Sequence, residues 1–205
     1  MAFWDFLKDI LKPKQPSPII DKPPVDDGTV TLKKKIQDEI IFMASAWIGV
    51  RETKGNNRSP QIDALIQSQG GSLGSPYCMY GVQHVVQSAC LKLNLQNPMP
   101  EGGSTQRVWA KINEKYKSKN PTRASLIFWR SRKDKSRGHV GIVEDFDGDL
   151  VTIEFNTNDA GSRDGDGVWR KRRKLSGSIS LELLGFVNIA QMIIDKNSPE
   201  KIIKG

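Results

Sequence analysis

The chain has 205 residues, 37% hydrophobic and 26% charged, which suits one domain with a core large enough to fold without disulfides or metal. Two cysteines and two histidines exclude a disulfide-stapled mini-domain and a multi-ligand zinc framework, and no apolar run approaches the roughly 20 residues of a membrane helix. The net charge of +8 fits plain solubility, nucleic acid or another polyanion such as a bacterial cell wall.

Phe3, Phe6, Leu7, Ile10 and Leu11 recur at helical spacing and predict a short amphipathic helix. Charges interrupt that stretch and no basic segment precedes it, so it does not read as a secretory signal. Pro13, Pro16, Pro18, Pro23 and Pro24 follow and predict an extended linker. The expected division is therefore a tail over 1–28 and a main domain over 29–205. The tail holds four lysines against five aspartates, so the other 27 basic and 18 acidic residues, a net +9, belong to the main domain.

A helix is predicted from Leu32 to Ile48, with Thr29 or Thr31 as a cap and Ile36, Ile40, Ile41, Met43, Ala44 and Trp47 apolar. Pro60 opens a second over about 60–69, with Ile62, Leu65 and Ile66 on one face. A third runs from about Tyr77 to Leu93, and a fourth from Thr105 to Lys117. From Ser125 the pattern changes to short apolar or alternating runs: SLIFW, HVGIVEDF, LVTIEF, GVWRKRRKL and LLGFVNIA. These predict strands of an antiparallel sheet. N-terminal helices packed on a C-terminal antiparallel sheet make an α+β domain.

Cys78 falls in the first turn of the third helix, where backbone N–H groups and the helix dipole favour a thiolate and can bind an oxyanion. A lone cysteine is more often a small buried hydrophobe. Cys90 lies 12 residues on, among Ala89, Leu91 and Leu93. At roughly 18 Å along one helix, the two cannot form a disulfide. His84, six residues after Cys78, sits well round the same helix and reads as a packing residue. His139 opens a strand, and Asp147-Gly148 predicts a two-residue hairpin loop after it. That loop sets Phe146 opposite Asp149 and, further out, His139 opposite Asn156 with Glu154 diagonal. Both then share a face with His139, and a register slip of one residue would put them on the other. A polar group there can orient the imidazole toward the thiol; the bland alternative for Glu154 and Asn156 is a solvated strand end.

The segments Ser75-Pro76-Tyr77-Cys78, Gly138-His139-Val140-Gly141-Ile142-Val143 and Ile153-Glu154-Phe155-Asn156-Thr157-Asn158 resemble the CHAP domain, the cysteine, histidine-dependent amidohydrolase/peptidase. The resemblance covers about residues 35–190. It implies a papain-like α+β fold and a hydrolase of bacterial peptidoglycan, as in many bacteriophage endolysins. It also implies Cys78 as nucleophile, His139 as base, Glu154 as orienting carboxylate and Asn156 as an auxiliary polar group, with no cofactor. Three positions depart from the usual pattern. Tyr77 replaces a common Trp, Ala124-Ser125 a Gly-Asp, and Phe155 a glycine.

Asp145, Asp147 and Asp149, and then Asp159, Asp164 and Asp166, are clustered but lack a full calcium-loop pattern, so no metal is expected. Trp169-Arg170-Lys171-Arg172-Arg173-Lys174, with Arg130, Arg132, Lys133, Lys135 and Arg137, reads either as a solvated edge strand or as a basic rim for an anionic polymer. No stacking platform for nucleic acid is recognisable, so none is expected as a partner. The expectation is a monomeric enzyme made in the bacterial host cytoplasm and acting on the wall. Its alternatives are a non-catalytic wall-binding or virion-associated module, and a bacterial antagonism effector with the same chemistry.

Overall fold

A computed structural model describes residues 28–158, 165–176, 178 and 180–198. The expected N-terminal helix and proline linker, and Asp159 and Asp164, lie outside these residues. Five α-helices and a six-stranded antiparallel sheet follow in chain order: α1 (Gly28–Ser45), α2 (Pro60–Ser68), α3 (Cys78–Lys92), α4 (Thr105–Lys111), a 3-10 turn (Glu114–Tyr116), β1 (Lys117–Ser118), β2 (Leu126–Ser131), β3 (Gly138–Asp147), β4 (Asp149–Thr157), β5 (Gly167–Arg173), β6 (Leu181–Val187) and α5 (Ile189–Asn197). The sheet order is β1-β6-β2-β3-β4-β5, so β5 is an edge. Helices before and sheet after is the α+β, papain-like arrangement that the sequence predicts.

Local chemistry sets the element ends. Ser59 caps α2 by accepting from the Ile62 N–H, and Ser104 caps α4 by accepting from the Arg107 N–H. The fourth helix is shorter than expected. Ile112 turns extended, and the Asn113 side chain accepts from the Lys115 N–H, starting the 3-10 turn. The end of the predicted last strand is also different: Asn188 accepts from the Gln191 N–H and begins α5.

The core lies between α1, α3 and α5 and one face of the sheet. Ile36, Ile40 and Ala44 of α1 meet Val82, Val85 and Val86 of α3 and Phe128, Val140, Ile142, Ile153 and Phe155 of the sheet, all fully buried. Phe155 lies so close over α3 that a Cβ at Gly81 would meet its ring at 2.2 Å. The Phe155 departure from the CHAP pattern is thus a packing residue matched to Gly81. Ala124 is likewise buried, with its N–H donating to Val143 and a left-handed φ of 62°. A smaller cluster, Ile127, Trp129, Val143, Leu150 and Phe186, forms apart from this core. Period-two alternation sends neighbouring strand residues to the two clusters.

The β3–β4 hairpin reaches the expected register by an unexpected route. At its tip Asp147 pairs with Asp149 across Gly148, so Phe146 faces Leu150 in place of Asp149. An irregularity between Val143 and Asp145 absorbs one residue. Beyond it Val143 faces Thr152 and Ile142 faces Ile153, the expected pairing. Without that bulge, His139 and Glu154 would project to opposite faces.

Candidate active site

The start of α3 meets the open ends of β3 and β4 in a cleft of about 260 Å³. It is lined by Asn56, Asn57, Pro76, Cys78, Gly103, Ser104, Thr105, Ser136, Arg137, Gly138, His139 and Asn156. Cys78 is the first residue of α3. Tyr77 takes the cap position without a side-chain hydrogen bond to the helix. No side-chain cap from Tyr77 therefore occupies the first-turn N–H groups of α3, which stay available to an oxyanion at Cys78.

His139 is the second residue of β3 and is 8% exposed. Its Nε2 lies 2.9 Å from Oε2 of Glu154, which leaves Nδ1 for the thiol. Trp129 stacks on the ring at 5.7 Å between centroids. Burial opposes charge on His139, but the Cys78 thiol and the Glu154 carboxylate beside it outweigh burial and push its pKa up to about 9.

Glu154 is fully buried. Thr152 donates to its Oε1 at 2.6 Å, and Arg173 reaches both oxygens, through Nε to Oε1 at 2.8 Å and through a terminal nitrogen to Oε2. Burial would raise its pKa, but Arg173 and His139 hold it well below the usual carboxylate range. A carboxylate so held stays ionised, as a buried carboxylate does only when paired. Room for it comes from Gly141, where a Cβ would meet the Glu154 Cγ at 2.8 Å.

Asn156 shares the cleft but makes its printed side-chain bond elsewhere: Nδ2 donates to Oδ1 of Asn57 at 2.7 Å. It sits at an irregularity between β4 and β5, in a left-handed conformation with φ 53°. The structure therefore brings Cys78, His139, Glu154 and Asn156 together, with Glu154 rather than Asn156 on the imidazole. His84 is apart from them, edge-on to Trp47 at 5.2 Å and 3.3 Å from Ser68 Oγ. Cys90 is in the core, 1% exposed, with burial pushing its thiol up to about 11. Both cysteines are free.

Arg173, Thr152, Trp129 and Asn57 were not singled out by sequence reasoning as parts of the site. Arg173 sits in a basic run on an edge strand, and only its place in the sheet separates it from its neighbours. Part of the basic set is paired: Arg170 with Glu144 at 2.6 Å, Arg130 and Lys135 with a shared Glu182, and Arg137 with Asp134 at 3.0 Å. Among the described residues no cluster of His, Cys, Asp or Glu is arranged to hold a metal, and no helix is long and apolar enough to cross a membrane.

Among protein-family models, that of the CHAP domain matches residues 68–156. No curated protein and no solved structure matches the chain. The matched stretch is less than half of the 205 residues, yet it spans Cys78, His139, Glu154 and Asn156. Over that stretch the chain is similar to a cysteine, histidine-dependent amidohydrolase/peptidase.

Proposed function

We propose that this protein is a peptidoglycan hydrolase that cuts an amide bond of the bacterial wall through the Cys78 thiolate. The observation that carries this reading is the buried Arg173–Glu154–His139 chain ending at a thiol in an open cleft. The thiolate attacks the amide carbonyl, and a first-turn N–H of α3 receives the oxyanion. His139 gives its proton to the leaving amine as the C–N bond breaks. It then takes a proton from water, which attacks the thioester; the C–S bond breaks, the acid is released and the Cys78 thiolate is restored beside the imidazolium. Glu154 stabilises the imidazolium at each stage where His139 holds the proton and orients the neutral ring between them, and Arg173 keeps Glu154 ionised.

The bond is the N-acetylmuramoyl–L-alanine amide or a peptide link in the stem or cross-bridge. Mass spectrometry of digested walls tests both. Stem peptides with a free N-terminal L-alanine mean an amidase, and new termini inside the stem or bridge mean an endopeptidase. A Cys78→Ala variant that digests walls as fast as the parent overturns the thiol mechanism. Within this reading we place the enzyme with phage endolysins, which reach the wall from the host cytoplasm. Expression beside a membrane pore should lyse the host, and intact cells would contradict that placement.

A further inference from the structure

Asn57 and Asn156 meet on the cleft wall, and both hold left-handed backbones, with φ 57° and 53°. That conformation is unfavourable for residues with a Cβ unless their surroundings fix it. The fixing contacts close a ring through Glu52. Its Oε2 accepts from the Asn57 N–H at 2.7 Å, and its Oε1 accepts from the Tyr77 hydroxyl at 3.3 Å. The Tyr77 oxygen in turn lies beside the backbone N–H of Asn156. Asn156 Nδ2 completes the ring by donating to Asn57 Oδ1, while Asn57 Nδ2 donates to the Gly74 carbonyl at 3.0 Å.

Two donors converge on the two oxygens of one carboxylate, so an amide at position 52 would set an NH₂ against one of them. Tyr77 is fully buried and directly precedes Cys78. The ring thus joins the loop before α2, the residue before the thiol and the end of β4. The Asn156 side chain keeps a second N–H and an oxygen, the donor and acceptor that match a peptide group.

We propose that Glu52 is a positioning residue: through Asn57 and Tyr77 it fixes the Asn156 amide on the cleft wall, where that amide binds a peptide group of the substrate. The proposal rests on the cleft being the hydrolytic site. It gives Asn156 a substrate-binding task distinct from the orienting of His139, which Glu154 performs.

A double-mutant cycle of Glu52→Gln and Tyr77→Phe tests it, with steady-state kinetics on soluble wall fragments and hydrogen exchange of the Asn156 N–H. Each single variant should raise KM about tenfold while kcat changes less than about threefold. Each should also speed Asn156 N–H exchange about tenfold. The double variant should be no worse than the worse single, because both act on one ring. Unchanged KM, additive losses, or Asn156 exchange equal to the parent's would overturn the proposal. If the parent cuts no wall fragment, the hydrolase reading falls, and Asn156 exchange alone then decides whether Glu52 holds it. Tyr77→Phe keeps the buried ring, so it serves that measurement if Glu52→Gln does not fold.

Discussion

Helix α3 holds two cysteines in opposite settings. Cys78 at its start is 7% exposed and lines the cleft beside His139, and Cys90 near its end is 1% exposed with its thiol pushed up to about 11 by burial. The two histidines divide the same way. Burial lowers the pKa of His84, which packs on Trp47, whereas the thiol and carboxylate beside His139 overcome burial and raise it to about 9. Exposure separates these residues poorly. The charged partners supplied by β4 and β5 separate them well. Reactivity here belongs to the place where the helix start meets the sheet.

The largest effect that sharpens the contrast is Cys78→Ala, which should lower kcat/KM by at least about 10³-fold, measured as soluble fragments released from walls. Next is Glu154→Gln, which removes the orienting carboxylate and strands the Arg173 charge. It should cost about 10²-fold in kcat and about 3 kcal/mol in denaturant unfolding. Adding Arg173→Met should recover much of that stability and none of the activity. Recovery of activity would mean that Glu154 serves the fold and not His139.

The pH dependence follows from the two shifts. A raised His139 pKa stabilises the fold fully below the ordinary imidazole range near 6.5, and that contribution is lost as pH rises toward about 9. A lowered Glu154 pKa contributes above the ordinary carboxylate range near 4.5 and is lost as pH falls through the folded value. Hydrolysis should therefore decline above a pH of about 9, where the imidazolium that protonates the leaving amine disappears. In Glu154→Gln that alkaline limb should move down by about one unit or more, as an imidazole without its carboxylate requires.

The smallest effects fall on the other pair. Cys90→Ala should cost about 1–2 kcal/mol through lost packing and leave kcat/KM within twofold. His84→Gln should change stability by about 0.5 kcal/mol and leave turnover unaltered. A large loss of activity from either would erase the distinction between the two settings.

Much of the site was legible because hairpin geometry is local. Asp147-Gly148 and period-two alternation put His139 and Glu154 on one face. The bulge at Val143–Asp145, which makes that true, leaves no sequence mark, because two departures from the simple hairpin cancel. Arg173 was not legible. Its neighbours Arg170 and Lys171 look the same in sequence, and only contact with Glu154 tells them apart. Asn57 was hidden in a glycine- and asparagine-rich loop whose partner lies 99 residues away. Helix α5 had a usable signal, Asn188 followed by Gln191 at the capping spacing, but the apolar run before it reads as a strand that continues.

The account turns on which thiol is reactive, and limited alkylation measures that directly. The protein is treated with a small amount of iodoacetamide, activity is followed, and the modified peptides are mapped by mass spectrometry. Loss of wall hydrolysis in step with carbamidomethylation of Cys78, with Cys90 unmodified until the protein is unfolded, is the predicted result. Inactivation that tracks Cys90 while Cys78 stays free would contradict it.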